Sequence, residues 1–345
     1  MRKPDIAPLT QWITAAAVAH PEDLPEQVMQ RLQVGRRTAL AWLNRLQAAQ
    51  WLVREGTARR PRWRPGALRQ VVRSYALAGL QEDLPWRQDF APHFDLPAPV
   101  RRMARHAFTE LVNNAIDHSG GEQVTVSMRQ TPLQLQLLVS DDGCGLFERV
   151  QQAFAIADPT LAMLELSKGR LTSQPERHCG RGLVATSMLA DVFDLRANTA
   201  GFQRRAWAPT KWHGMPLNAT LAGRPGTSIY LAIALDTQRT LDEVLGALSV
   251  DAATHAFDRT SVPLNLLAGA SDDAALASRA EAKRVAARLA AFRRAEIDFS
   301  GVAEIGHAFA HELFAVFPRE HPEVELVAIG AAPSVAAMIG AATAA

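Results

Sequence analysis

One short segment concentrates side chains that could bind a ligand. Residues 108–118 read FTELVNNAIDH. On a helix, the polar residues of this run share one face and the apolar residues lie opposite. The polar set is Glu110, Asn113, Asn114, Asp117 and His118. Asparagine is a poor helix former, and a solvated face more often carries Glu, Lys or Gln. The pattern leaves two alternatives, a ligand-binding face and a solvated face.

Three glycine-bearing loops follow, each next to a regular element. Alternation predicts strands over 123–129 and 133–140, and the second strand runs into Asp141-Asp142-Gly143-Cys144-Gly145. A carboxylate followed by two glycines lets the backbone approach a planar ligand, although an Asp-Gly turn is the common alternative. The second loop, 178–183 (HCGRGL), precedes an apolar helix over 184–190, and such a helix start can bind phosphate. The third, 225–228 (PGTS), precedes a strand over 229–234.

The ordered motifs Glu-x-x-x-Asn, Asp-x-Gly-x-Gly, Gly-x-Gly and Gly-Thr together resemble the GHKL ATPase superfamily. That superfamily includes gyrase, the heat-shock chaperone, histidine kinases, mismatch-repair ATPases and anti-sigma-factor kinases. The resemblance covers roughly residues 80–236. It implies a Bergerat α/β sandwich that binds ATP and Mg²⁺.

The resemblance also implies a role for each matching residue. Asp141 would accept a hydrogen bond from the adenine amino group, Asn114 would coordinate Mg²⁺, and Glu110 would orient or deprotonate an attacking group. Gly143 and Gly145 would let the base lie against the backbone, with Thr227 near the adenine. The residues expected around the phosphates are Asn113, Asp117, His118, Gly180, Arg181 and Gly182.

The segment 147–179 has about the length of the mobile lid of this superfamily. It contains Lys168, one of four lysines in the chain, which we expect to reach the γ-phosphate. The alternative is an ordinary solvated lysine. Upstream, His106 is interpreted as a surface histidine, because no dimerisation helix with a phosphoacceptor histidine precedes the block.

The N-terminal block differs in charge and pattern. Residues 1–75 contain 13 Lys and Arg against 5 Asp and Glu, a net charge of +8, and the remainder of the chain carries −6. Helices are predicted over 10–19, 25–33 and 36–50, followed by a hairpin around the basic turn 55–61. This order resembles a winged helix-turn-helix, in which the third helix enters the major groove and the wing follows the phosphates.

The residues expected to contact DNA are Arg36, Arg37, Thr38, Asn44 and Arg45 on the helix and Arg59, Arg60, Arg62 and Arg64 in the wing. The alternative is a helical protein-interaction module with a basic face.

The C-terminal block alternates strand and helix, with strands predicted over 262–267, 295–299 and 324–329 and helices over 274–292, 307–317 and 333–342. The run EIDFSGVAEIGHAFAHELFAVF resembles STAS domains, and more closely the STAS-like domain that follows a GHKL domain in many bacterial regulators. The phosphorylatable serine of STAS antagonists is replaced here by Gly306-His307-Ala308. We therefore expect a scaffold or dimer surface and no serine switch.

Length and composition limit the classes of protein. A chain of 345 residues with 48% hydrophobic and 21% charged residues is typical of a globular protein of two or three domains. Two cysteines are too few for a disulfide framework, and neither a signal peptide nor a membrane span is visible. A cytoplasmic location is expected.

The sequence thus predicts an α+β multidomain protein. The expected domains are a winged helix at 1–75, a Bergerat-type ATPase domain at 76–250 and a STAS-like domain at 251–345. The expected function is a bacterial regulator whose ATP-Mg state controls DNA or partner binding. Expected partners are ATP, duplex DNA, a protein bound by the STAS-like domain and a second copy of the chain. The alternative is a serine- or histidine-type kinase or ATPase acting on a separate partner; whether the chain is an enzyme stays open.

Overall fold

A computed structural model describes residues 6–57, 60–171, 180–208, 212–215, 217, 224–254, 256–268 and 276–344. These residues form three sheets. The first is an antiparallel hairpin, the second a seven-stranded antiparallel sheet and the third a three-stranded parallel sheet. Helices cover one or both faces of the larger sheets.

The N-terminal part has four helices and a hairpin. They are α1 (Ala7–Thr10), α2 (Ile13–Ala19), α3 (Leu24–Leu32), α4 (Arg36–Ala48), β1 (Leu52–Gly56) and β2 (Pro61–Pro65). The predicted first helix is therefore split in two. Pro25 occupies the first turn of α3, and Gln33 ends that helix in the left-handed conformation. These elements enclose an apolar core of their own, built on Ile13, Leu43 and Trp63.

The large sheet begins earlier in the chain than the sequence suggested. Strand β3 (Arg69–Ala76) pairs with β4 (Gln123–Gln130), so residues before the expected boundary at 75 belong to this sheet. The N-terminal helices lie directly on β3. The N–H of Gln70 donates to Thr14 Oγ1 at 3.0 Å and the N–H of Val72 to the carbonyl of Gln11 at 3.3 Å.

The remaining elements of the middle part, which runs from β3 to α10, bring the end of one strand next to the start of another. The strands are β5 (Gln134–Asp141), β6 (Val192–Ala197), β7 (Ala200–Arg205), β8 (Trp212–Gly214) and β9 (Thr227–Ala234). The helices are α5 (Asp83–Pro85), α6 (Ala98–His118), α7 (Leu146–Phe154), α8 (Pro159–Lys168), α9 (Gly182–Leu189) and α10 (Leu241–Ala247). The strand order is β3-β4-β5-β9-β6-β7-β8. Because β9 lies between β5 and β6, the end of β5 meets the start of β9.

Helix α6 is amphipathic, as the sequence indicated. Its apolar face is buried apart from the half-buried Ile116, and the Phe108 ring packs on Trp86 at 5.4 Å and on Phe90 at 5.1 Å between ring centres. Burying an aromatic side chain of this size contributes about 1.5–3 kcal/mol. This packing fixes the opposite, polar face of α6 above the sheet.

The C-terminal part is a parallel β/α layer. Its elements are β10 (Arg259–Pro263), α11 (Asn265–Ala268), α12 (Arg279–Ala286), β11 (Arg294–Asp298), α13 (His307–His311), α14 (Phe317–Glu320), β12 (Glu325–Ile329) and α15 (Pro333–Thr343). A π-helical turn, Glu312–Val316, joins α13 to α14.

Two sequence boundaries in this part were wrong. The strand predicted over 262–267 ends at Pro263 and is followed by α11, because a short apolar run does not distinguish a strand from a buried helix. The helix predicted over 274–292 is shorter. It begins after Ser278, which forms a capping box with Glu281. It ends at Ala286, and Arg288, just beyond, has the left-handed conformation. Residues 274 and 275 lie outside the described residues.

The middle and C-terminal parts share one continuous apolar core, whereas the N-terminal part keeps its own. A further small cluster joins Ala185 of α9 and Leu248 to Phe257 and Phe292 of the C-terminal part. Among the helices described, none is both long and apolar enough to cross a membrane.

Candidate functional site

A cavity of about 290 Å³ lies between α6, α9 and the adjoining ends of β5 and β9. It brings together many of the residues expected from sequence. These are Glu110, Asn114, His118, Asp141, Gly145, Gly180, Arg181, Gly182 and Thr227. Asn113, Asp117, Gly143 and Lys168 are not part of its wall.

Asp141 is held in place from two directions. Its Oδ1 accepts the N–H of Gly143 at 3.0 Å and the N–H of Thr227 at 3.1 Å. Among the described residues, Oδ2 has no hydrogen bond. Burial raises the pKa of the Asp141 carboxyl, and the two backbone donors oppose that shift. One oxygen thus fixes the side chain, the other has no partner among the described residues, and the residue lines the cavity.

The neighbouring Asp142 has a structural role. Its Oδ1 accepts the N–H groups of Glu122 at 2.8 Å and Gln123 at 2.9 Å, which fixes the start of β4. These two bonds lower the pKa of its carboxyl. Of the two adjacent acids, only Asp141 reaches the cavity.

Residue 226, which lies against the backbone of Asp141, must be a glycine. Gly226 has φ of +91°, and a Cβ there would lie 2.0 Å from the Asp141 carbonyl oxygen. The next residue, Thr227, accepts the N–H of Leu146 through its Oγ1 at 3.0 Å. The segment 226–227 therefore joins the end of β5 to the start of α7. Gly143 lies against the carbonyl of Ser119, where a Cβ would approach to 2.2 Å.

The carboxylate of Glu110 lies against the start of α9. A Cβ at Gly182 would be 2.0 Å from Glu110 Oε2, so a side chain there would require the Glu110 carboxylate to move. The positive end of the helix dipole favours an anion at this place. Glu110 therefore marks the point where the loop 180–182 and the polar face of α6 meet.

The sequence-based interpretation of His106 as a surface histidine is wrong. The residue lies one turn before Glu110 on α6, it is half-buried, and its Nε2 is buried without a hydrogen-bond partner among the described residues. Burial lowers the pKa of its imidazole, Glu110 opposes the shift and Arg181 adds to it. The signal was its i−4 spacing from Glu110 on the same face.

Lys168 is far less exposed than a phosphate-binding lysine of a lid should be. Its side chain is 1% exposed, and its ammonium donates to Glu165, to the carbonyl of Ala287 at 3.0 Å and to the carbonyl of Arg284 at 3.5 Å. The last two belong to the end of α12 in the C-terminal part. The expectation that Lys168 reaches the γ-phosphate does not fit this arrangement, because neither Lys168 nor any partner of its ammonium lines the cavity. The later lid residues, 172–179, lie outside the described residues.

The donors around the cavity suit a magnesium–nucleotide ligand. No group of three or more His, Cys, Asp or Glu side chains that could hold a metal occurs within the part of the chain that the structure describes. Mg²⁺ often binds through one or two protein oxygens together with phosphate oxygens and water. The amide oxygen of Asn114 on the cavity wall fits that mode.

Comparison with known families agrees with the site. Residues 69–203 match the model of the histidine kinase-like ATPase domain, and residues 281–336 match the STAS-like domain of unknown function (DUF4325). The first match runs from β3 to β7 and includes Glu110, Asn114, Asp141 and the loop 180–182; it supports ATP binding in this part of the chain. The resemblances of the middle and C-terminal blocks are thereby confirmed at the level of the domain. No curated protein matches the chain.

Replacement of Gly226 by alanine should destabilise the protein. An L-residue at positive φ, with a Cβ pressed on the Asp141 carbonyl, should cost about 1–3 kcal/mol. The matched control is Gly214→Ala, because Gly214 has open space at its Cβ and no positive φ. It should change stability by no more than about 0.5 kcal/mol. Urea unfolding measures both, and equal losses would contradict this account of residue 226.

Proposed function

We propose that the protein is an ATP-responsive regulator. Mg-ATP in the cavity between α6 and α9 controls the packing of the C-terminal STAS-like part, and through it the binding of DNA or a partner protein. The observation that carries this proposal is the position of α8. Leu166 of this helix lines the cavity, and two residues later Lys168 is buried against α12.

The nucleotide would bind with its adenine at Asp141 and its phosphates at the start of α9. The unpaired oxygen of Asp141 suits the adenine amino group. Arg181 and the first N–H groups of α9 suit phosphate, because the positive end of the helix dipole lies there and the first N–H groups of a helix have no acceptor within that helix. Asn114 would hold the Mg²⁺ ion that accompanies the phosphates.

Asp141→Asn should separate nucleotide binding from folding. The amide oxygen can still accept the N–H groups of Gly143 and Thr227, but an amide N–H₂ would face the adenine amino group, donor to donor. We expect ATP to bind roughly 10- to 150-fold more weakly by calorimetry. The matched control is Asp142→Asn, which alters a carboxylate outside the cavity and should leave ATP affinity unchanged. Equal affinity for Asp141→Asn and wild type would remove Asp141 from the adenine site.

The same variant should change the pH dependence of stability. The pKa of Asp141 is raised in the folded protein, so the folded state binds more protons than the unfolded state. The contribution of Asp141 to the unfolding free energy therefore falls as pH rises from about 4. Without ATP, Asp141→Asn should gain stability relative to wild type between that pH and neutrality, as followed by urea unfolding at several pH values. A constant difference across that range would contradict this account.

The base of the lid is anchored to the C-terminal part at several points. The Lys168 carbonyl accepts Thr260 Oγ1 at 2.7 Å. Arg170 donates to the Phe257 carbonyl at 2.7 and 3.0 Å, and its guanidinium lies 5.1 Å from the centre of the Phe292 ring. A ligand that moves α8 or the lid base must therefore strain or relieve these contacts. That differential effect is what allosteric control requires.

The pair Glu165–Lys168 should carry this coupling. Lys168→Met alone leaves the Glu165 carboxylate buried without its ammonium, which should cost about 3–5 kcal/mol of stability. The double variant Glu165→Gln/Lys168→Met removes both charges and should recover most of the loss. It should bind ATP as wild type does, whereas ATP should no longer change amide exchange at residues 284–287.

Two outcomes would contradict that account. Loss of ATP affinity in the stable double variant would return Lys168 to the nucleotide site. Retention of the ATP-dependent exchange at residues 284–287 would show that the pair does not transmit it.

The N-terminal part is proposed to bind duplex DNA as a winged helix-turn-helix. Arg36, Arg37, Thr38 and Asn44 are exposed at α4, as are Arg60 and Arg62 at the hairpin, whereas Arg45 is half-buried. Glu26 lies 3.0 Å from Arg36, and Glu55 lies 3.1 Å from Arg64. Arg37, Arg60 and Arg62 are therefore the better candidates for phosphate contacts. Arg59 lies outside the described residues.

Removal of two wing arginines should change the salt dependence of DNA binding. Arg60→Ala/Arg62→Ala should flatten the slope of log K against log[salt] by about 2 if both contact phosphate. The control is Arg319→Ala, an exposed arginine on α14. Binding curves and selection from random duplexes, with and without ATP, measure this. Selection without any enriched sequence would reject DNA recognition and favour a protein partner.

A further inference from the structure

A second cavity, of about 230 Å³, lies where the middle and C-terminal parts meet. One wall comes from α9 and from Arg204 of β7, and the other comes from β10 and β11. Trp212, Met188 and Pro263 supply apolar surface. This cavity shares no lining residue with the nucleotide cavity.

Arg204 brings a largely buried charge to this cavity. Its Nη1 donates to the carbonyl of Ser187 at 2.8 Å, and its guanidinium donates no other hydrogen bond within the described ranges. A guanidinium has five N–H donors, so most of them are unused. The charge of the Asp191 carboxylate acts on Arg204 only from a distance and raises its pKa. That carboxylate is already bound by Arg239 at 3.0 Å and by the N–H of Ala234 at 2.8 Å.

Burial lowers the pKa of Arg204 to about 10, so the side chain stays charged at neutral pH. None of the carboxylates in the described part of the chain lies within ion-pair distance of it. A buried charge without a counterion is unfavourable, and an anion in the cavity would remove that penalty.

The opposite wall is neutral, because its one arginine is paired with its one carboxylate, so the net positive charge of the lining comes from Arg204. Arg259 bonds to Glu296, and the same carboxylate oxygen is shared with Arg294 at 3.2 Å. The residues that line the cavity thus include two arginines and one carboxylate.

One hydroxyl in the cavity is unused. The Oγ of Ser261 is buried and has no partner among the described residues. The other hydroxyls of the wall are committed, since Ser187 and Ser167 donate to carbonyls of their own helices and Thr260 to that of Lys168. Ser261 can therefore donate to a ligand.

We propose that this cavity binds a small oxyanion, the carboxylate or phosphate group of a small molecule, through the guanidinium of Arg204 and the hydroxyl of Ser261. The planar fork of arginine suits two oxygens of one such group. Because the two donors belong to different parts of the chain, the anion favours the docked arrangement of those parts. This site is a second input, separate from ATP.

Calorimetric titration of the full chain with inorganic phosphate and, separately, with malonate tests the proposal. Ionic strength is held constant with chloride. We expect saturable binding of one probe ion per chain, by phosphate if the natural ligand is a phosphate ester and by malonate if it is a carboxylate. Ser261→Ala should weaken that binding about tenfold, and Arg204→Met should weaken it at least as much. The matched control is Arg196→Met, an arginine of the same sheet outside the cavity, which should leave binding unchanged.

Arg204→Met also removes the bond to Ser187 and can unfold the protein, so circular dichroism accompanies it. Ser261→Ala breaks no bond seen in the structure, and it decides the question if the arginine variant does not fold. Absence of saturable binding by both probes would overturn the proposal. Binding that survives Ser261→Ala, or that is lost on Arg181→Met in the nucleotide cavity, would overturn it too.

Discussion

A buried ammonium ion needs oxygen atoms around it, and at Lys168 those atoms come from two parts of the chain. The carboxylate of Glu165 neutralises the charge within α8, while the carbonyls of Arg284 and Ala287 accept from it across the interface. The last carbonyls of a helix have no partners within that helix, so the ammonium also satisfies the end of α12. The charge could not remain buried if α8 and α12 separated. This contact therefore ties the ATPase-like part to the STAS-like part, together with the apolar core that they share.

Asp141 shows a different compromise. Folding draws a carboxylate out of water and holds it with one oxygen only, which raises its pKa and costs stability. The structure tolerates that cost at the edge of a cavity where a ligand amino group can pair with the second oxygen. Asp142, one residue on, lies in an exposed position and is tied by two backbone donors. Neighbouring identical residues thus differ in role because β5 ends between them.

The sequence predicted most of the elements, and about half of the residues of the cavity wall, where the signal was local. The 3.6-residue period placed Glu110, Asn114 and His118 together, and alternation gave the hairpin that ends in Asp141. It failed where the outcome depended on distant residues. The run SKGR, 167–170, had the composition of a phosphate loop, but α12, more than a hundred residues later, determines where Lys168 lies. Residues 69–75 were placed in the N-terminal block, and strand β3 was not predicted, for the same reason, since its partner β4 begins at Gln123.

The way in which the N-terminal helices meet β3 has a consequence for self-association. Strand β3 is an outer strand of the seven-stranded sheet, and an outer strand offers unpaired N–H and carbonyl groups to any other strand. Here the N–H groups of Gln70 and Val72 are already bound by Thr14 and Gln11. The N-terminal part therefore covers that edge of the sheet and also carries a basic surface of its own. A chain shortened to begin at Arg69 would expose an edge strand that can pair with a strand of another chain. Its solubility would fall because of that pairing, whether or not nucleotide or DNA is present.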